Sequence, residues 1–247
     1  MKIDILAGGS SGNCIAIRSS KSTILIDAGV PKTKIEKRLL DVGIRPDNID
    51  AIFITHAHSD HVKGLPLANK YKIPVFAAKD EWQSIQDLDN SIIHYIDDSE
   101  CIPFKDISIT SFRVHHDAID PRGYVVGIGK KKIAVCLDTG HIDAYMLEVM
   151  EDSDVYIFEA NHEPALVELC KYPNSVKARI LSDVGHLSNE QTANALAHLV
   201  NGKGEKILIT HLSTSNNRPA IVEATIMKYL KKKGLKRKKN YELSIFN

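Results

Sequence analysis

The chain opens with short apolar runs cut by turn residues. Lys2–Ala7, Cys14–Arg18 and Thr23–Asp27 read as strands, the last two as a hairpin around Ser19-Ser20-Lys21-Ser22. Gly8-Gly9-Ser10-Ser11-Gly12-Asn13 is the turn-rich loop before that hairpin. Pro31–Val42 carries Ile35, Leu39 and Leu40 at helical spacing with Lys and Arg opposite, and Gly43 ends it. Ala51–Thr55 is a continuous apolar run, the kind buried on both faces of a sheet. Further on, the pattern predicts a helix over Val62–Tyr71 and strands at Val75–Ala78, Ile107–Val114, Tyr124–Ile128, Ile133–Leu137, Val155–Glu159 and Lys206–Thr210. Helices are predicted at Ala144–Met150, Pro164–Leu169, Asn189–Leu199 with Ser188 as N-cap, and near Pro219–Lys232. Strands come in groups and helices fall between the groups. That grouping predicts an α/β sandwich, two mixed β-sheets flanked by helices. No repeat or low-complexity linker interrupts it, so residues 1–247 are expected to form a single domain.

Composition changes this picture little. At 247 residues, 43% apolar and 26% charged, the chain is an ordinary globular protein with enough length for a substantial core. A formal net charge of +1 names no partner. No apolar run has the length of a membrane span, and Asp4 stands where a signal peptide needs an apolar stretch. The expected location is cytoplasmic, without membrane association. Four cysteines form no C-x-x-C pair, so reduced thiols are expected, with Cys14 and Cys136 as small core residues. Histidine is the outlier: 11 are present, and they gather in short loops. Imidazole is the commonest metal ligand.

His56-Ala57-His58-Ser59-Asp60-His61 follows directly on the apolar run Ala51–Thr55. A loop at a strand's carboxyl end is where α/β proteins place their sites. Alternate residues of an extended loop project together, so His56 and His58 can grip one ion, while a turn at Ser59 aims Asp60 and His61 elsewhere. Three imidazoles and a carboxylate suit zinc, manganese or iron. The bland alternative is a solvated polar loop. Four other places offer donors at strand ends: Asp27 in Leu25-Ile26-Asp27-Ala28-Gly29, His115-His116, Asp138 in Asp138-Thr139-Gly140-His141, and His211. Alone, each reads as an ordinary turn or a structural histidine. Alternation turns one of His115 and His116 away from any shared ion, and the residues alone leave open which.

The His56–His61 stretch resembles the second motif of the metallo-β-lactamase superfamily, and the other donors follow in the order expected there. The resemblance implies a metallo-β-lactamase αββα sandwich. It makes Asp27 a support for the ligands, His116 the third histidine and Asp138 a carboxylate bridging two ions roughly 3.5–4 Å apart. One ion then takes His56, His58, His116 and Asp138, and the other Asp60, His61, Asp138 and His211. Two divalent metal ions, zinc or manganese, are the implied cofactors. More specific blocks resemble the YycJ/WalJ family: Gly9-Ser10-Ser11-Gly12-Asn13, His116-Asp117-Ala118, Glu159-Ala160-Asn161-His162, Tyr172-Pro173, Arg179-Ile180-Leu181, Gly185-His186-Leu187-Ser188-Asn189 and His211-Leu212-Ser213 with Asn216-Asn217. That family implies a 5′ to 3′ DNA exonuclease, often with manganese. RNase J and RNase Z are more distant relatives. The chain is too short for the β-CASP insertion of the first and has no arm like that of the second, which lowers an RNA substrate. Asp138-Thr139-Gly140-His141 departs from the family's usual wording, so a phosphodiesterase for small or cyclic nucleotides stays open. A thioesterase or a lactamase ranks lower because the Glu159–His162 and Gly185–Asn189 blocks have no evident role there, and a binding protein with a vestigial site ranks lower because the ligand set is complete.

Several residues carry secondary expectations. Ser10, Ser11 and Asn13 could bind a phosphate through a nest-like loop, or simply enter the hairpin. His186 could protonate a leaving oxygen, or sit in a helix-capping loop that ends in Ser188. His162 could support the ligands, with Glu159 accepting from an imidazole N–H, or belong to a buried network. The proposed catalytic set is Asp60, Asp138 and His186. Finally, Lys228 to Lys239 holds eight basic residues: Lys228, Lys231, Lys232, Lys233, Lys236, Arg237, Lys238 and Lys239. Such a stripe could follow a nucleic-acid backbone, or be a solvated face. Partners are thus DNA, RNA less so, or a small nucleotide. The sequence leaves monomer and homodimer equally open.

Overall fold

In the computed structural model, which describes residues 1–246, the chain starts as an antiparallel meander. It comprises β1 (Lys2–Ala7), β2 (Cys14–Arg18) and β3 (Thr23–Ile26). Its register sets Ile5 opposite Ile15 and Ile17 opposite Ile24, so apolar side chains pair across the strands. After helix α1 (Lys32–Asp41), which buries Ile35 and Leu39, strand β4 (Ala51–Phe53) returns parallel to β3. Parallel neighbours need a crossover, and α1 is that crossover. The next one holds two short helices, α2 (Ser59–Val62) and α3 (Pro66–Tyr71), and leads to β5 (Val75–Ala77); β6 (Ile93–Tyr95) closes a six-stranded mixed sheet of order β1-β2-β3-β4-β5-β6.

The continuous helix expected over Val62–Tyr71 is interrupted. Gly64 N donates to Ala28 O at 2.6 Å, and Pro66 starts a new helix. A Cβ on Gly64 would stand 2.4 Å from Val30 O, so the break is a close backbone crossing that only glycine permits.

The second sheet has seven strands. They are β7 (Cys101–Phe104), β8 (Ile107–Arg113), β9 (Arg122–Ile128), β10 (Lys131–Cys136), β11 (Val155–Glu159), β12 (Glu205–Thr210) and β13 (Tyr241–Ile245), in the order β13-β12-β11-β10-β9-β8-β7. β7 and β8 pair antiparallel, while β10 to β13 run parallel, so this sheet is mixed too. Its crossovers carry α4 (Ala144–Met150), then α5 (Pro164–Leu169), α6 (Asn174–Ile180) and α7 (Asn189–Leu199), then α8 (Pro219–Lys232). Ser188 caps α7, and with Gln191 it forms a reciprocal capping box. β6, β7, α6 and β13 were not expected from the sequence.

The chain divides into two compact units. The first is Met1–Ser111 with Ala118–Arg122 and Gly127–Gly129; the second is Phe112–Asp117, Gly123–Val126 and the chain from Lys130 on. Each has its own core. In the first, Leu25, Ile35, Leu39, Ile52 and Val75 are wholly buried. In the second, Phe158, Leu196, Ile209, Ile226 and Leu230 are. Cys14 and Cys136 lie in these cores, where burial pushes both thiols up. Among the described residues, no helix is long and apolar enough to cross a membrane. Because α8 holds its sheet through one apolar face, Ile226→Ala should cost about 3 kcal/mol in urea unfolding. Lys231→Ala, on the exposed side of the same helix, should stay within about 0.5 kcal/mol.

Candidate metal centre

In the first unit, the donors hang from the ends of β3 and β4. Asp27 follows β3 with φ of 61°, a left-handed conformation uncommon outside glycine. Its buried carboxylate accepts from Thr55 N at 2.8 Å and Thr55 Oγ1 at 3.0 Å, and lies 2.7 Å from His61 Nδ1. These contacts offset the cost of burying the charge, and they make Nδ1 the protonated nitrogen of His61. His61 Nε2 stands 3.1 Å from Asn13 Nδ2 and 3.7 Å from Asp60 Oδ2. His56 Nδ1 lies 3.1 Å from Thr55 Oγ1, which leaves His56 Nε2 directed at His58 Nδ1, 3.0 Å away. Two imidazole nitrogens that face each other this closely need a proton or a cation between them.

Backbone contacts fix the loop. Asn13 N donates to Asp60 O at 2.8 Å, and Ala28 N to His61 O at 2.8 Å. Gly29 passes so near that a Cβ there would lie 1.6 Å from Asp60 O. The buried Glu81 is a residue the sequence reading missed. It accepts from Ala57 N at 2.7 Å, between His56 and His58, and from Asp120 N at 2.6 Å. Nothing in Lys79-Asp80-Glu81-Trp82 distinguishes it from a surface acid. Ser10 and Ser11 are exposed, whereas Asn13 is buried and turned toward His61.

In the second unit, His116 is buried and its Nδ1 lies 2.9 Å from Gly185 O. Its Nε2 is 3.2 Å from Asp117 Oδ1, and Asp117 is itself paired with Arg179. Burial depresses the His116 imidazole below its ordinary pKa, keeping it neutral. His115 turns the other way, to Asp143 at 2.8 Å, and stacks on His141. Asp138 stands two residues past β10 with φ of 49°, and His211 directly follows β12 with φ of 54°. Their atoms meet: His211 Nε2 is 3.2 Å from Asp138 Oδ1, and His186 Nδ1 is 3.6 Å from the same oxygen. Glu159 completes this group, with Oε2 at 3.0 Å from His186 Nδ1 and Oε1 accepting from Thr139 N at 2.7 Å. One donor atom from each of Asp138, Glu159, His186 and His211 lies within 4.8 Å of the rest. Burial pushes His186 down, but the Glu159 carboxylate, and Asp138 after it, hold its pKa up at about 9.

His162 is buried, and its Nδ1 has no hydrogen-bond partner among the described residues. Desolvation, then the charge of His186, pulls its pKa down to about 4. The Ser188 hydroxyl is committed to its helix cap. In the basic stretch, Arg237 pairs with Glu223 and donates to Leu243 O at 2.7 Å, while Lys233 donates to Val200 O at 2.8 Å. Lys228, Lys231, Lys232, Lys236, Lys238 and Lys239 are exposed.

The donors fit divalent metal ions. They are imidazoles and carboxylates without thiolate, and on His61 and His116 the far ring nitrogen is held by a carboxylate or carbonyl oxygen, as metal-ligating histidines require. Mixed sheets with such donors at strand ends define a hydrolase of the β-lactamase class. A family model described as "Beta-lactamase superfamily domain" matches residues 22–212. The chain is 37% identical over 236 residues to exodeoxyribonuclease WalJ of Streptococcus pneumoniae, covering 93% of this chain and 88% of that protein. It is 34% identical over 241 residues to exodeoxyribonuclease YycJ of Bacillus anthracis, covering 95% and 90%. The chain therefore belongs to the WalJ/YycJ family of the β-lactamase superfamily. In fold it resembles the crystal structure of the metallo-β-lactamase fold protein YhfI from Bacillus subtilis, with a TM-score of 0.74 over 99% of this chain and 95% of that one at 14% identity.

Asp27→Asn removes the acceptor that fixes His61. Titration with zinc or manganese should show roughly 10- to 100-fold weaker metal binding. Unchanged affinity would mean that Asp27 serves the fold alone.

Proposed function

We propose that the protein is a metal-dependent exodeoxyribonuclease that removes nucleotides in the 5′ to 3′ direction. In this reading His56, His58, Asp60, His61, His116, Asp138 and His211 would hold two divalent ions, zinc or manganese. The reading is carried by the pairing of two features. The chain is 37% identical across nearly its whole length to a protein named an exodeoxyribonuclease, and it holds buried His and Asp donors oriented by hydrogen bonds from behind.

Two divalent ions, when bound, would supply a water of lowered pKa and neutralise charge on the phosphate. The protein's own groups do the rest. Asp27 and Gly185 O keep His61 and His116 in one tautomer each, so that Nε2 is the nitrogen offered. Glu159 holds His186 Nδ1, which leaves Nε2 to carry a proton to the departing oxygen. His186 is part-exposed, as a group that meets substrate must be. Asp60 and Asp138 act as ligands in this scheme, and Asp138 also lies against His186. Ser10 and Ser11 lie exposed beside Asn13 and are the residues of that loop available to a phosphate. Burial holds His162 neutral, and in this reading it supports the neighbouring loop.

The test is hydrolysis of 5′-end-labelled single- and double-stranded DNA with added manganese or zinc, beside a cyclic mononucleotide control. Progressive loss from the 5′ end is expected. A chelator should abolish it and added metal restore it. His58→Ala and Asp60→Ala should each reduce it by at least about 10²-fold. His186→Ala should lower turnover by roughly 10²- to 10⁴-fold with near-normal metal content. Intact DNA beside a hydrolysed cyclic nucleotide would move the substrate to a small molecule. Full activity of His58→Ala would remove the metal scheme.

A further inference from the structure

Between Glu159 and His186 the chain makes an excursion that does little for the core. α6 buries no residue, and α5 buries only Val167. Yet the segment is apolar on its outer side. Leu169 is 82% exposed, Leu181 and Val184 46% each, Tyr172 40% and Val176 36%. Nowhere else among the described residues do exposed large apolar side chains gather so densely along the sequence. A patch of this kind on a soluble protein marks an interaction surface.

Basic residues interleave with the apolar ones: Lys171 beside Tyr172, Lys177 beside Val176, Arg179 two before Leu181. From Lys171 to Val184 the only acid is Asp183. The Tyr172 hydroxyl reaches Ser215 Oγ at 3.4 Å. Arg218 Nη1 donates to Thr214 O at 3.2 Å and Ser215 O at 3.5 Å, so the ring and this guanidinium converge on one loop. That loop begins at His211. An exposed ring and exposed cations, on segments whose ends are Glu159, His186 and His211, have the chemistry of a stacking platform with phosphate contacts.

We propose that this surface receives single-stranded DNA, with a base stacked on Tyr172 and backbone phosphates met by Lys171 and Arg218. The proposal rests on the nuclease reading, and it assigns where the substrate strand runs. Stacking accounts for an exposed ring beside the loop that begins at His211. Lysine is depleted in protein–protein interfaces, so Lys171 beside the ring favours a polyanion over a second copy of the chain. Arg179 is already engaged by Asp117 and is left out of the phosphate set.

Binding is measured without turnover, by anisotropy of a short fluorescein-labelled oligothymidylate in the presence of a chelator. Tyr172→Ala should weaken binding about tenfold, and Tyr172→Phe should keep it, since the ring and not the hydroxyl stacks. Lys171→Glu and Arg218→Glu should each flatten the dependence of affinity on salt. In Tyr172→Trp, the oligonucleotide should quench the new indole. If wild-type protein degrades DNA and Tyr172→Ala binds the oligonucleotide as tightly as wild type, the platform is wrong and the nuclease reading stands. If wild type neither binds nor degrades DNA, both fall. If Tyr172→Ala and Leu169→Glu abolish a dimer seen by sedimentation while oligonucleotide affinity is unchanged, the surface joins two copies of the chain, and the proposal is overturned.

Discussion

The buried Asp27 carboxylate is the constraint on which the first half of the centre depends. It ties the end of β3 to the end of β4 through Thr55, and it fixes the tautomer of His61. A charge taken out of water is tolerated only when its lone pairs are filled, and here backbone, hydroxyl and imidazole fill them. Each of those partners is thereby committed. Thr55 Oγ1 lies also against His56 Nδ1, so the same network turns His56 Nε2 toward His58. One carboxylate thus orders three imidazoles in sequence. The strand pairing that positions Asp27 is ordinary sheet physics, and the site inherits its rigidity.

The same device recurs at other strand ends. Asp27 and His211, immediately after β3 and β12, and Asp138, two residues past β10, all adopt left-handed backbone conformations. For a residue with a side chain this costs on the order of 1–3 kcal/mol. A carboxylate or imidazole persists there because the turn aims it away from the sheet, toward donors on neighbouring strands. Gly29 and Gly64 show the converse. Each gives up a side chain because backbone atoms of the Asp60 loop or the Ala28–Val30 turn occupy the space. At these five positions, candidate donors take the strained backbone and glycine takes the crowded sites.

Much of this was legible in the sequence, and the reason is local. The strands β2, β3, β4, β10, β11 and β12 are short and mostly apolar runs, α7 carries its Ser188 cap, and α8 carries its Pro219 start and its periodicity in neighbouring residues. The His56–His61 donors are adjacent in sequence, and so are His115 and His116. What stayed hidden depends on partners far along the chain. β6, β7 and β13 are short or alternate with polar residues, and they are strands because a neighbour pairs with them. Glu81 braces Ala57 from 24 positions away, and Arg179 reaches Asp117 from 62. The single helix expected over Val62–Tyr71 fails for the same reason, since its break at Gly64 is imposed by Ala28 O. The ring orientation of His115, toward Asp143, is likewise decided by a residue 28 positions on.

The two kinds of surface in the second unit answer opposite demands. Metal-type donors must be held to within a fraction of an ångström, so they sit on buried strand ends and are braced by Glu159 and Gly185. A polymer end must enter, slide and leave, and a rigid, fully packed wall would resist that. The excursion proposed to receive the strand has that character, since its short helices bury almost nothing and lie between two residues of the rigid set. Gly185 joins the two regimes. Its carbonyl holds His116, while a Cβ on it would stand 2.2 Å from Arg179 O, at the end of α6. The end of α6 and the carbonyl that orients a candidate ligand thus meet at one residue with no side chain.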